Sequence, residues 1–167
     1  MSIDTLVPVS EYLSTTYRPD REYLDGVILE RNLGEWYHSR AQMLLARYLS
    51  NREAEWGILV VPEQRVQVKA SRFRVPDICV ILGPDPQEQI LTAPPFLCIE
   101  ILSKDDTMSS MQERIADYIG FGVPYVWVLD PRSRRAYSVT AAGMQEAKEV
   151  LSTKNPDIRV PLSEIFV

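Results

Sequence analysis

Apolar and polar residues alternate along this chain in two rhythms, one close to 3.6 residues and one of two. The switches between them mark out its elements. In EWYHSRAQMLLARYLSNREAEW, Ala41, Leu44, Leu45, Tyr48 and Leu49 recur at helical spacing and predict an amphipathic helix. In SSMQERIADYIGFG, Met111, Ile115, Tyr118 and Ile119 form a second stripe. Ser110 and Glu113 stand there at capping-box spacing, with Gly120 and Gly122 as stop signals. REYLDGVILERN sets Asp25-Gly26 between two apolar runs, and Asp-Gly supplies the positive φ angles of a type I′ hairpin turn. GILVV, RVQVK, RVPDICVI and FLCIEILS predict strands. YVWVLD is nearly unbroken in its apolarity, which suits a strand buried on both faces. RAYSVT and IRVPLSEIFV finish the chain. The order of hairpin, helix, strands, helix, strand and strand predicts a mixed α/β fold with one sheet.

Composition narrows the class. At 167 residues, one domain over residues 1–167 is expected, long enough to bury a core without staples. No apolar run approaches the roughly 20 residues of a membrane helix. MSIDTLVPVSEYLS lacks the basic and apolar regions of a signal peptide, so a cytoplasmic protein is expected. Cys79 and Cys98 lack metal-ligand spacing and read as reduced core residues. The formal net charge of -5 weighs against a nucleic-acid partner, because its field repels phosphate; a local cleft or bound cation reverses that.

Two residues break the apolar pattern. Asp77 follows Pro76 at the mouth of ICVI, and Glu100 sits inside FLCIEILS. An unpaired buried carboxylate is costly, so each needs a partner or a cation. If the two strands pair antiparallel with Asp77 beside Glu100, Cys79 falls opposite Cys98, and alternation puts all four side chains on one face. Carboxylates forced together raise each other's pKa unless a cation neutralises them. Oxygen ligands from one or two carboxylates suit Mg²⁺, with Mn²⁺ as a substitute. The alternative is a private ion pair for each acid with an arginine such as Arg72, Arg74 or Arg114.

RFRVPDICVI, PPFLCIEILS, a helix and then YIGFGVPYVWVLDP, in that order, resemble the Uma-type putative restriction endonucleases of the PD-(D/E)XK nuclease superfamily. The resemblance runs from the EYLDG hairpin through VWVLDP. It implies a restriction-endonuclease-like α/β (α+β) fold, a mixed sheet flanked by helices with an N-terminal β-hairpin. It also implies a metal held by the Pro-Asp acid and the later Glu, which are Asp77 and Glu100. The superfamily commonly keeps a lysine two residues after that Glu, where this chain has Leu102. In Uma-type proteins the lysine looks relocated to the following helix, where Arg114 stands. Arginine stabilises phosphate charge or orients water but does not lose a proton at neutral pH. Lys104 is a second candidate whose loop setting favours solvation. His38, the sole histidine, stands at the start of the first helix in a position that resembles the histidine opening this helix in Uma-type proteins, which implies a site role; a half-buried helix-terminal histidine making one backbone hydrogen bond is the equal alternative.

The remaining candidates are weaker. Glu30 ends the hairpin and either faces the same cleft or is a solvated strand end. Arg72, Arg74, Arg132, Arg134 and Arg135 offer phosphate contacts or an ordinary soluble surface. Trp36, Trp56 and Trp127 offer base stacking, but their periodic settings favour core packing. The leading expectation is a Mg²⁺-dependent endonuclease hydrolysing phosphodiester bonds in DNA. Asp77 and Glu100 would hold the metal, Arg114 would stabilise phosphate charge and His38 would assist. The second is a catalytically silent nuclease-fold binding or assembly module, favoured by the missing lysine and the acidic net charge. A homodimer is expected, with apolar residues of the hairpin or the C-terminal tail at its interface.

Overall fold

The structure, a computed structural model, describes residues 5–31 and 34–167. A short helix α1 (Val9–Ser14) precedes the hairpin β1 (Arg21–Leu24) and β2 (Val27–Glu30), then come α2 (Trp36–Ser50) and α3 (Glu53–Trp56). Next are β3 (Ile58–Pro62), β4 (Val66–Lys69), β5 (Arg72–Arg74), β6 (Ile78–Leu82), β7 (Leu97–Ile101) and α4 (Met108–Phe121). The chain ends through β8 (Tyr125–Asp130), β9 (Arg135–Thr140), β10 (Gly143–Ala147), β11 (Val150–Ser152), β12 (Arg159–Pro161) and a 3₁₀ turn, Leu162–Glu164.

The hairpin forms as its dipeptide predicts. Asp25 and Gly26 have φ of 50° and 97°, and Leu24 lies opposite Val27. The single sheet does not hold: among the described residues there are three. A six-stranded sheet runs β10-β9-β8-β7-β6-β3, a four-stranded one β2-β1-β5-β4, and β11 pairs with β12. The hairpin joins β5 through Tyr23 opposite Phe73 rather than entering the main sheet. Pro76, which cannot donate to a ladder, stands where the chain passes from one sheet to the other.

In the six-stranded sheet, β6 and β7 are antiparallel with Ile78 opposite Ile99 and Cys79 opposite Cys98, the register that the two acids require. β7 and β8 run parallel, joined by α4. Alternation gives the sheet two faces. Ile78, Val80, Ile99 and Trp127 pack against Ala41, Leu45 and Leu49 of α2 and against Leu151 and Val160 near the C-terminus. Cys79, Cys98, Val126 and Val128 pack against Met111 and Tyr118 of α4, with Val66 and Val68 of β4. Tyr12, Tyr23 and Phe73 form a separate aromatic cluster.

Two local expectations change. The N-cap of α4 is Thr107, whose hydroxyl accepts from the Ser110 amide while Ser110 Oγ accepts from the Thr107 amide. Ser110 is therefore the third residue of the capping box and not the first, and Glu113 instead reaches Arg72. Trp127 is buried and Trp56 half-buried against Tyr48, but Trp36 is 77% exposed. It is the first residue of α2, ahead of the core-facing stripe that begins at Ala41.

Candidate functional site

Asp77 sits at the entry to β6 and is 4% exposed. Oδ2 accepts from the Ile101 amide at 2.7 Å. Oδ1 accepts from Arg31 Nη2 at 2.9 Å and lies 3.2 Å from His38 Nε2. Gln42, one helical turn beyond His38, donates to the Asp77 carbonyl at 2.9 Å. The β6–β7 register and the first turns of α2 therefore fix this one acid from three sides. Burial pulls the His38 pKa down, but the hydrogen bond and charge of Asp77 outweigh it, and the net shift is upward from 6.5.

Glu100 is 3% exposed and reaches α4. Tyr118 donates its hydroxyl to Oε1 at 2.5 Å, and Arg114 Nη1 lies 3.5 Å from Oε2. Arg114 continues to Asp106 Oδ1 at 3.1 Å. Burial raises the Glu100 pKa, and the charges of Asp77 and Glu22 add to it. Arg114 and the Tyr118 hydrogen bond only partly offset them, leaving it at about 8. The same burial pushes the Tyr118 phenol well above its ordinary value.

Both acids line one cavity of about 320 Å³. Its wall carries the carboxyls of Glu22, Glu30, Glu63, Asp77, Glu100 and Asp106 against the guanidiniums of Arg31 and Arg114 and the His38 ring. Fixed acid exceeds fixed base, and the hard oxygen donors are the kind that hold a divalent cation. Among the described residues no group of three or more His, Cys, Asp and Glu converges as a ready-made metal cage. A cation here would draw two protein ligands at most from this pair, and it would compete with Arg31 and His38 for Oδ1 of Asp77.

The four principal sequence candidates thus meet at one place: Asp77 with His38, and Glu100 with Arg114. The private-pair alternative names the arginine that faces Glu100 but not the one that pairs with Asp77. Arg114 faces Glu100, but the partner of Asp77 is Arg31, which the sequence did not single out. Arg72 and Arg74 lie elsewhere. Arg74, 2% exposed, donates to Glu22 Oε2 at 2.9 Å and Asp117 Oδ2 at 2.7 Å. Arg72 bridges Asp25, Glu113 and Asp117. They tie the smaller sheet to α4 rather than offering charge to phosphate. Glu30 is exposed, lines the cavity and pairs with Arg21 at 3.0 Å. Lys104 is an exposed turn residue, and Leu102 is half-buried against the core cluster that contains Cys79 and Cys98. Arg132 pairs with Glu35, Arg135 with Glu146, and Arg134 donates to the Phe166 carbonyl. Glu22, Gln42 and Tyr118 are further cavity or support residues that the sequence reading missed. The signal that could have found Glu22 is an acid set within a predicted strand, beside Tyr23 and Leu24, to which the burial argument used for Asp77 also applies.

The model of the Uma2 family, described as putative restriction endonuclease, matches residues 9–165, and the chain belongs to that family. The crystal structure of a putative nuclease belonging to DUF820 from Anabaena variabilis ATCC 29413 is similar to it with a TM-score of 0.82. That similarity covers 95% of this chain and 98% of the other at 19% identity, which establishes a common fold. A DrdV–DNA complex aligns over 71% of this chain and 10% of its own with a TM-score of 0.43 and 18% identity, too slight a likeness to carry an argument. No protein of curated function matches the chain by sequence. No helix among the described residues is long and apolar enough to cross a membrane.

Proposed function

We propose that the cavity is the active centre of a divalent-metal-dependent endonuclease, with DNA as the polymer that the family description favours. The observation that carries this reading is the pair of buried acids, Asp77 and Glu100, which the β6–β7 register brings to one cavity whose wall has more carboxyls than cations. Asp77 and Glu100 would hold the ion, Mg²⁺ by ligand type with Mn²⁺ as a substitute. Such an ion, when bound, lowers the pKa of water and neutralises charge on a scissile phosphate.

The chain's own groups take the remaining work. Arg114 and Arg31 keep their charge at any working pH and would draw a phosphate to the acidic cavity and stabilise its developing charge. Arg114 does not serve as a base. His38 retains its proton to a higher pH because of Asp77 and stands ready to orient or protonate an oxygen near it. Tyr118 fixes the Glu100 carboxyl from the core side. Cutting both strands of a duplex calls for two such centres, and a homodimer is part of this reading, read out by sedimentation equilibrium.

The saturated state of the acids supports a second reading, a silent nuclease-fold binding module. Every oxygen of Asp77 already accepts from the protein, and Leu102 stands where a lysine is expected two residues after Glu100. Incubation of supercoiled plasmid with Mg²⁺ separates the two. The nuclease reading expects nicked and linear products from the wild type and none from Asp77→Ala. Intact plasmid with both proteins assigns the fold to binding.

A further inference from the structure

Helix α2 is unusual in this acidic chain: WYHSRAQMLLARYLS contains no Asp or Glu. The positions turned away from the core, Trp36, Arg40, Met43 and Arg47, recur every three or four residues and so form one exposed stripe. Trp36 and Met43 are 77% and 59% exposed, and Tyr37 beside them is 62% exposed. Large apolar groups so placed usually mark a contact surface. Arg40 and Arg47 make no ion pair among the described residues, whereas Arg72, Arg74, Arg114 and Arg135 are all spent on carboxylates. Ser39, between the stripe and the face that carries His38 and Gln42, is exposed and lines the cavity, so the two surfaces are continuous.

We infer that the outer face of α2 is a docking platform for a nucleic-acid strand with an unpaired base, in which Trp36 stacks on the base while Arg40 and Arg47 meet the flanking phosphates. The inference deepens the nuclease reading by naming how the polymer is engaged beside the cavity. An aromatic face accepts any base, and interleaved arginines track the backbone. Complementarity selects this occupant. The net charge of -5 repels phosphate from the molecule at large, and an acid-free helix is where that repulsion is locally reversed. A second copy fits less well, because a two-fold pairing sets arginine against arginine with no acid on the helix to neutralise them.

The test is the binding of a fluorescein-labelled single-stranded oligodeoxynucleotide and of the same sequence as a blunt duplex. It is followed by anisotropy in chelator and again with Ca²⁺, so that affinity is read apart from cleavage. The single strand should bind more tightly than the duplex. Trp36→Ala should weaken it by roughly 5- to 150-fold, the range for loss of one stacked base, and Trp36→Phe should recover part of that. Arg40→Ala should weaken it further and flatten its salt dependence. Unlabelled strand should also quench tryptophan emission in the wild type and not in Trp36→Ala, since Trp127 is buried and Trp56 is half-buried against Tyr48. Equal affinity of wild type and Trp36→Ala under both conditions overturns the platform. So does a shift from dimer to monomer in Trp36→Ala with unchanged oligonucleotide binding, which assigns the stripe to self-association. If plasmid is cut while Trp36→Ala binds normally, only the platform falls. If Trp36→Ala loses binding while the wild type cuts nothing, the platform stands and the nuclease reading falls.

Discussion

Glu100→Gln should turn a pH-sensitive protein into a much less sensitive one. A glutamate in the unfolded chain titrates near 4.5, but burial and the neighbouring charges of Asp77 and Glu22 move it to about 8 in the folded protein. Between those values the folded state holds a proton that the unfolded state has released. Stability of the metal-free protein therefore falls as pH rises through that window, at up to roughly 1.4 kcal/mol per pH unit. Over the whole span this approaches about 5 kcal/mol, the cost of an ionised carboxylate in this setting. Glutamine keeps an oxygen for the Tyr118 hydroxyl and cannot ionise. At pH 8 the variant should exceed the wild type by on the order of 3–4 kcal/mol, with near equality at pH 5. His38 leaves a smaller slope in both proteins. Its raised pKa gives a contribution fully present below 6.5 and lost as pH rises through the folded value. Urea unfolding in EDTA at pH 5, 6, 7 and 8, followed by far-UV circular dichroism, measures the difference. Parallel stability curves for the two proteins would refute the reasoning. A divalent ion added to the wild type at pH 8 should recover most of the loss, since it replaces the proton as the neutralising charge.

Three further outcomes follow from the same contacts. Asp77→Ala leaves the Ile101 amide, Arg31 and His38 without their acceptor. It should cost roughly 1–3 kcal/mol in urea unfolding and lower the His38 pKa in an NMR titration. Arg74→Met takes the guanidinium away from the buried carboxylate of Glu22 and leaves Asp117 to Arg72, so a loss of about 3–5 kcal/mol is expected by thermal or urea denaturation, with metal affinity little changed. Leu45→Ala should cost about 2–5 kcal/mol because Leu45 is fully enclosed between α2 and the main sheet, whereas Met43→Ala on the exposed face of the same helix should stay within about 0.5 kcal/mol.

What the chain disclosed was mostly local. Asp25-Gly26 names its own turn, because only residues that tolerate positive φ close a two-residue hairpin. The register of β6 on β7 could be read because period-two alternation leaves one pairing that shelters both acids, and Cys79 opposite Cys98 is that pairing. The cap of α4 was misplaced because Thr107, Ser109 and Ser110 present similar hydroxyls, and backbone geometry at Thr107 chooses among them. Long-range pairings were hidden. Arg31 reaches Asp77 across 46 residues of sequence, and nothing in LERN distinguishes that guanidinium from a solvated one. The smaller sheet depends on β1 meeting β5, a pairing that no hairpin signal announces. Tyr118 fitted the apolar stripe correctly, since its ring is core; the hydroxyl that steadies Glu100 follows only from where α4 crosses β7.

The shared acid pair is tested most directly by soaking crystals in Mn²⁺ and measuring anomalous density at the manganese edge. The account predicts a peak within ligand distance of both Asp77 and Glu100, at about 2.0–2.3 Å from carboxylate oxygen, and its loss in Asp77→Ala. Density absent from that cavity, or a peak bound to Glu30 or Glu63 with both buried acids still held by Arg31, His38 and Arg114, would contradict it.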